Sequence, residues 1–444
     1  MKKICLLFLI FPIVFVGQIE NQTNNSFDLQ QAISFALANN KTISNAQRDI
    51  EISKQKKWET TASGLPQINA GVDYQNNIVI QKSVIPAEVF GGPPGTFAEV
   101  AFGTKQNMGA RATLSQLIFD GSYIVALQAS KVYLQFYKNA KTKTDGEIRE
   151  IIVNSYGNVL LADESIKILV KNKAILDKNL NDAEQIFKNG LGEQETAEQI
   201  SLTLNTVLTS LERVKRIKEI GLNMLKIQLG LKVTDNLLLT DSLENLAVRN
   251  LATANQIQKF TVASNIDYQI ANSMVIQKRL FLKLEKAKAL PSLAAVGNFG
   301  YNAFSQSFTF FNSEQRWFNY ANVGINLNVP IFSSFARRAR TAQAKFELEK
   351  AQTQLSDAEQ MLELGYQKAK SDFEFSAAEF LNTKNNLGLA ERIERKQQIK
   401  FKEGLSTSFE FSEAQRQLYA EQQNHLQSML NIVKTKAALE KIVQ

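Results

Sequence analysis

The chain has a single cysteine, a single histidine and only seven prolines among 444 residues. Cys5, the cysteine, lies inside an apolar N-terminal run, so the rest of the chain has no thiol for a disulfide or a cysteine metal site. A lone histidine cannot build a catalytic triad or a histidine-rich metal centre. His425 falls mid-helix among polar residues and reads as a surface residue. No glycine-rich phosphate loop occurs, and Asp and Glu are scattered along helix-forming stretches. These absences point away from an enzyme and from any cofactor or metal. Beyond the N-terminus no stretch reaches 18 consecutive apolar residues, so no transmembrane helix is expected. Proline is missing between Pro94 and Pro291 and after Pro330. Such tracts, rich in Ala, Leu, Lys, Glu and Gln, read as long helices.

The formal charge is +8. Lys and Arg are spread among abundant Glu along helices, which reads as solvated faces and excludes a nucleic-acid surface. Lys2 and Lys3, followed by the apolar run Ile4 to Val16, read as a secretory signal peptide over residues 1–17, cleaved after Gly17. Cys5 would leave with it, so it cannot carry a lipid as a mature first residue.

What is present begins with Ala321 to Phe335. Ala321, Val323, Ile325, Leu327 and Val329 alternate with Asn322, Gly324, Asn326 and Asn328, giving a strand with one apolar and one polar face. Pro330 ends it, and a long polar helix follows from about Ala336 to Glu403. The same junction occurs earlier. Strand one carries Ile68, Ala70, Val72 and Tyr74 on one face. Strand two, about Gln106 to Phe119, carries Met108, Ala110, Ala112 and Leu114. Strand three carries Leu293, Ala295, Phe299, Tyr301 and Ala303. Residues 81–104 read as a loop around Gly91-Gly92-Pro93-Pro94-Gly95.

Helices fill the remainder. One is expected from Phe27 to about Ser63, and one of ~100 Å from about Ser122 to Asn189. The latter holds a heptad of Ile152, Val159, Ile166, Leu180 and Phe187, partnered by Ala162, Leu169, Leu176 and Ala183, with Lys173 out of pattern. That period implies coiled-coil packing. Gly190-Leu191-Gly192 reverses the chain into a helix ending at Gly230; residues 231–245 read as a connector. A helix from about Asn255 to Ala289 follows. After the long helix, Gly404-Leu405 turns the chain into a last helix reaching Gln444. Breaks, strands and tips thus recur in order. The division is 18–231, with a β-hairpin over 65–119, and 232–444, with a β-hairpin over 291–331.

Four amphipathic strands leave two bare edges, which a membrane does not tolerate. Barrels of eight or more strands close, and three chains would supply twelve. Tyr301, Phe304, Phe308, Phe310, Phe311, Trp317, Phe318 and Tyr320 flank the second hairpin where an interfacial girdle is expected. The alternative is a soluble sheet packed on helices.

The chain resembles the TolC-like outer-membrane efflux proteins. The resemblance rests on Leu65-Pro66 and Leu290-Pro291 entering the hairpins, and on Leu117-Ile118-Phe119-Asp120-Gly121 and Val329-Pro330-Ile331-Phe332 leaving them. It rests also on the tips Phe187-Lys188-Asn189-Gly190-Leu191 and Phe401-Lys402-Glu403-Gly404-Leu405, and on GLSTSFEFSEAQRQL from Gly404 to Leu418. It implies a mainly α fold: a coiled-coil α-helical barrel, with four strands per chain in a trimeric twelve-stranded transmembrane β-barrel. It also implies an outer-membrane location extending into the periplasm, a periplasmic adaptor, and an inner-membrane pump of RND or ABC type. By resemblance, Gly190, Leu191, Gly404 and Leu405 are adaptor-docking tips; their other reading is ordinary helix caps. Glu410 and Glu413 share a helix face and would form a tunnel-entrance carboxylate ring favouring cations, or a plain solvated face. In the first half Thr196 takes the matching place, beside Glu195. Some relatives hold the entrance shut with an Arg shortly after the tip glycine; Ser406 and Thr407 stand there instead. The expected function is a passive export duct of a tripartite efflux system. The alternatives are a duct for one-step protein secretion and an exported coiled-coil scaffold without a pore.

Overall fold

The computed structural model describes residues 25–252 and 260–443. The expected signal peptide, and the expected helix start at Asn255, lie outside the described residues. In chain order the elements are β1 (Asn25–Phe27), α1 (Leu29–Asn39), α2 (Lys41–Ala62), β2 (Gln67–Asn76), β3 (Lys82–Pro86), β4 (Phe97–Ala101), β5 (Gln106–Asp120), α3 (Gly121–Lys188), α4 (Gln194–Leu229), β6 (Leu237–Leu239), α5 (Leu243–Ala252), α6 (Ile266–Ala287), β7 (Ser292–Ser305), β8 (Trp317–Asn328), α7 (Ala336–Lys402) and α8 (Ser408–Val443). The chain divides into two compact units. One draws on Met1–Ser44, Asp145–Lys259 and Tyr366–Gln444, the other on Asn45–Thr144 and Phe260–Gly365. Each therefore takes segments from both halves of the sequence.

The second of these units holds a four-stranded antiparallel sheet in the order β2-β5-β7-β8. Register aligns the faces across all four strands. Val72 sits opposite Ala110, Ala110 opposite Tyr301, Ala112 opposite Phe299 and Phe299 opposite Ala321. One face is therefore apolar from edge to edge. The other is laced by side chains. Asp73 pairs with Arg111, Thr113 Oγ1 donates to Asn298 Oδ1 at 2.8 Å, and Asn298 Nδ2 donates to Asn322 Oδ1 at 2.9 Å. An alternation of period two thus becomes two chemically distinct surfaces.

Strand passes straight into helix at two places. At Asp120 the carboxylate accepts from the backbone of Ser122 and Tyr123, at 2.6 and 3.1 Å, and so caps α3. A Cβ at Gly121 would lie 2.6 Å from Leu290 Cδ1, so any larger residue here would have to push the Leu290 side chain aside. After β8 the turn is made by Ser334 and Phe335, both with positive φ (47° and 63°). The Arg337 guanidinium clamps the carbonyls of Pro330 and Ile331, at 2.7 and 3.0 Å.

Residues 81–104 are more than a loop: β3 and β4 pair there as a small antiparallel hairpin. Of the eight aromatic residues expected in a girdle, Phe310 is instead buried, packed with Met108 and Ala303.

The other unit is helical around two cores. The heptad of α3 and the positions Ile200, Leu204, Val207 and Leu211 of α4 interlock as one. Leu169, Leu176 and Ala183 are buried there, as the 3.5-residue period demands. Lys173 stays half-buried at the edge of that core and pairs with Asp177 at 2.6 Å. Phe187, the last heptad position, is 43% exposed. The larger core joins α1, α3, α4, α5, α7 and α8 around Tyr156, Leu225, Phe380 and Ile432.

Three expectations change here. The first helix breaks at Asn40, whose side chain donates to the Gln228 carbonyl at 2.6 Å and accepts from Thr42 N at 2.8 Å. The connector contains β6, which pairs in parallel with β1, and leads into α5. His425 is buried, not at the surface. Its ring stacks on Phe380 at 5.4 Å, and Nδ1 lies 3.2 Å from Thr383 Oγ1. Burial holds its imidazole below the ordinary histidine range.

Candidate functional site

Among the described residues, two features have no partner within the chain. The first is the sheet. β2 and β8 are edge strands with no neighbour on their outer sides. The apolar face is bare as well: Ile68, Val72, Val323 and Ile325 are 76%, 70%, 90% and 74% exposed. Water disfavours such a surface by roughly 25 cal/mol per Å², and bare strand edges template further pairing. A sheet of this kind is open to further strand pairing at both edges.

The second feature is the pair of helix reversals. Gly190 and Gly404 adopt φ of 69° and 70°, which glycine alone reaches without a Cβ penalty. Each closes its helix in the same double hydrogen bond. Gly190 N donates to Phe187 O and Leu191 N to Ile186 O; Gly404 N donates to Phe401 O and Leu405 N to Lys400 O. This is a Schellman closure, in which the residue after the glycine commonly packs back on the helix. Leu191 and Leu405 do not, at 81% and 77% exposed. Phe409, at 67%, joins Leu405 outside the fold.

The chain leaves the two tips differently. At the second, Thr407 Oγ1 accepts from Glu410 N at 3.2 Å while Glu410 Oε2 accepts from Thr407 N at 2.9 Å, a reciprocal capping box. Ser406 Oγ donates to the same carboxylate oxygen at 2.9 Å. The Thr407 backbone N–H, then the Ser406 hydroxyl, hold the Glu410 carboxyl below the usual carboxylate range. Glu413 is paired with Arg416 on the next turn. Phe411 is buried and stacks on Phe401 at 5.1 Å, which locks α8 against the end of α7. At the first tip, Glu193 caps α4 without a side-chain hydrogen bond. The Thr407-to-Glu410 box was readable as a threonine three residues before a glutamate. The Asp120 cap and the Arg337 clamp were missed, since each depends on carbonyls or amides that turn only in the folded chain.

Among the described residues no cluster of three or more His, Cys, Asp or Glu could hold a metal ion. No described helix is long and apolar enough to cross a membrane.

The fold has solved counterparts. CusC, described as forming a transmembrane channel, superposes with a TM-score of 0.75 at 15% identity, covering 94% of this chain and 92% of that one. The Campylobacter jejuni CmeC outer membrane channel gives 0.74 at 15%, over 94% and 85%. The Vibrio cholerae outer membrane protein VceC gives 0.71 at 14%, over 94% and 95%. No curated protein sequence matches significantly. The chain therefore has the fold of a TolC-like outer-membrane channel subunit. The family model of the outer membrane efflux proteins matches residues 281–443 of the chain.

Proposed function

We propose that the chain is the outer-membrane duct of a tripartite efflux system, working as a homotrimer in a Gram-negative outer membrane and extending into the periplasm. The observation that carries this is the open sheet, with two unpaired edges and an apolar face exposed along its full width. Three copies joined edge to edge would pair every strand, turn the apolar faces to lipid and leave the polar ladder lining a pore. A pore-free scaffold has no use for such a surface. The duct itself is passive, and an inner-membrane pump of RND or ABC type would supply the energy.

The tips would be the docking points for a periplasmic adaptor. Gly190 and Gly404 set the reversals, and Leu191 and Leu405 present aliphatic side chains with nothing to cover them. Glu410 and Glu413 would place six carboxylates around the entrance of a trimer, a ring that favours cations. Their engagement with Thr407 and Arg416 fixes where those charges point.

Reconstitution of the purified protein in planar bilayers, with its mass measured in detergent, tests the reading. A trimer with stable conductance is expected. A monomer, or a trimer that conducts nothing, would overturn it.

A further inference from the structure

The sheet-bearing unit also contains a groove of about 520 Å³ between α2, α3 and α6, a volume typical of small-ligand sites. Its floor is the α3 face of Val125, Ala126, Ala129 and Tyr133, which recurs at helical spacing. The small side chains of Ala126 and Ala129 make the trough. Met274 and Phe281 of α6 form one wall, 39% and 46% exposed. Lysines line the rim and no carboxylate does. Lys56 is paired with Glu59 and Lys278 with Glu347. Lys57, from α2, has no ion pair among the described residues. Gln277 also lines the groove, and its amide nitrogen finds no acceptor among the described residues.

Its position adds a constraint. Val125 lies five residues beyond the end of β5, roughly 8 Å along the helix. If the sheet's apolar face meets lipid, as the proposed function requires, the groove starts at the depth of the lipid headgroups. A neighbouring copy would reach only its α2 rim and not the trough of α3 and α6. Copies joining at β2 and β8 bring α2 and α7 together, whereas α3 and α6 adjoin the inner strands β5 and β7.

We propose that this groove binds one acyl chain of a membrane phospholipid, with the anionic phosphate held by Lys57. An apolar trough takes the chain, an unpaired ammonium takes the phosphate, and the Gln277 amide is a donor in search of an acceptor. The inference rests on the outer-membrane reading.

The test is native mass spectrometry of the full-length protein released from non-ionic detergent, titrated with phosphatidylglycerol or, separately, with oleate. Three proteins are compared: wild type, Ala129→Phe, which fills the trough, and Lys57→Glu, a rim change that leaves the packing alone. Wild type should retain phosphatidylglycerol more tightly than oleate. Ala129→Phe should lose it, and Lys57→Glu should bind about tenfold more weakly. Equal retention by all three proteins, or preference for oleate, overturns the proposal. The same spectra report the trimer, so an intact trimer without lipid selectivity refutes the groove and leaves the duct standing. A monomer refutes the duct itself.

Discussion

Tyr156 offers a direct test of how the helical unit is held. Its ring is fully buried, and its hydroxyl joins three segments far apart in sequence. It donates to the Phe27 carbonyl of β1 at 3.0 Å and accepts from the Asp241 backbone at 3.3 Å. Asp241 in turn accepts from Leu29 N at 2.8 Å and from Arg249 at 2.7 Å. Tyr156→Phe keeps the ring and deletes the hydroxyl. Phe27 O still receives Thr240 N, but Asp241 N is left without its acceptor. One lost hydrogen bond and one orphaned donor cost about 2 kcal/mol. For a unit of this size that lowers the melting temperature by roughly 4–8 °C. Amide exchange should quicken at β1 and β6 and not in the α3–α4 coiled coil. Burial also pushes the Tyr156 hydroxyl up to about 12. The folded form therefore keeps its proton above pH 10, where the unfolded chain has lost it, so stability falls as pH rises from about 10 to 12. That alkaline loss, roughly 2–3 kcal/mol, should be absent in the phenylalanine variant. A variant melting within a degree of wild type, with the same alkaline profile, would refute the role given to this hydroxyl.

Two further outcomes follow from the faces and the core. Val323→Arg puts a charge on the apolar face and should cost about 2–4 kcal/mol if that face meets lipid, seen as lost trimer in outer-membrane fractions. Asn322→Arg, one residue away on the polar face, should assemble normally and shift ion selectivity in bilayers; equal assembly of the two would contradict the assignment of faces. His425 is held neutral by burial, with Glu244 and Lys384 the charged groups acting on it in opposite senses. Its contribution is present above the unfolded value of 6.5 and is lost as pH falls. The melting temperature should drop on acidification through that range in wild type and stay flatter in His425→Phe, whose ring can keep the stack on Phe380.

The strands and the long helices were legible because each has a period that a single chain must obey. Val323 to Leu327 alternates, and Leu169, Leu176 and Ala183 recur every seven residues. What was hidden depended on distant partners. β1 and β6 are three residues each, and Phe27 reads as the start of a helix until Leu237 to Leu239 lies beside Asn25 to Phe27. Asn40 reads as an ordinary helical asparagine until Gln228 offers its carbonyl. His425 has polar sequence neighbours, yet α7 brings Phe380 and Thr383 over it. Lys173 was visible as a break in the heptad, and it does remain outside the core. In the candidate site, the glycines at the tips announced the reversals and left Leu191 and Leu405 either exposed or packed on their helices; the structure leaves both exposed.

The two tips are unequal, and the one at Gly404 lies within residues 281–443, which the outer membrane efflux protein model matches. There nearly every residue has a task. Gly404 takes the left-handed turn, Thr407 and Glu410 cap each other, and Phe411 buries its ring against Phe401. At the first tip only the glycine closure is kept: Glu193 and Thr196 hold the places of Thr407 and Glu410, the two roles transposed. Exchanging them, with Glu193→Thr and Thr196→Glu together, would build the missing box in front of α4. A working box contributes about 1 kcal/mol to its first turn, so amide exchange of Gln194 to Ala197 should slow about fivefold, while the exposed Leu191 is untouched. Unchanged exchange there, with the closure at Gly190 intact, would mean that the first tip is shaped by contacts other than its own cap.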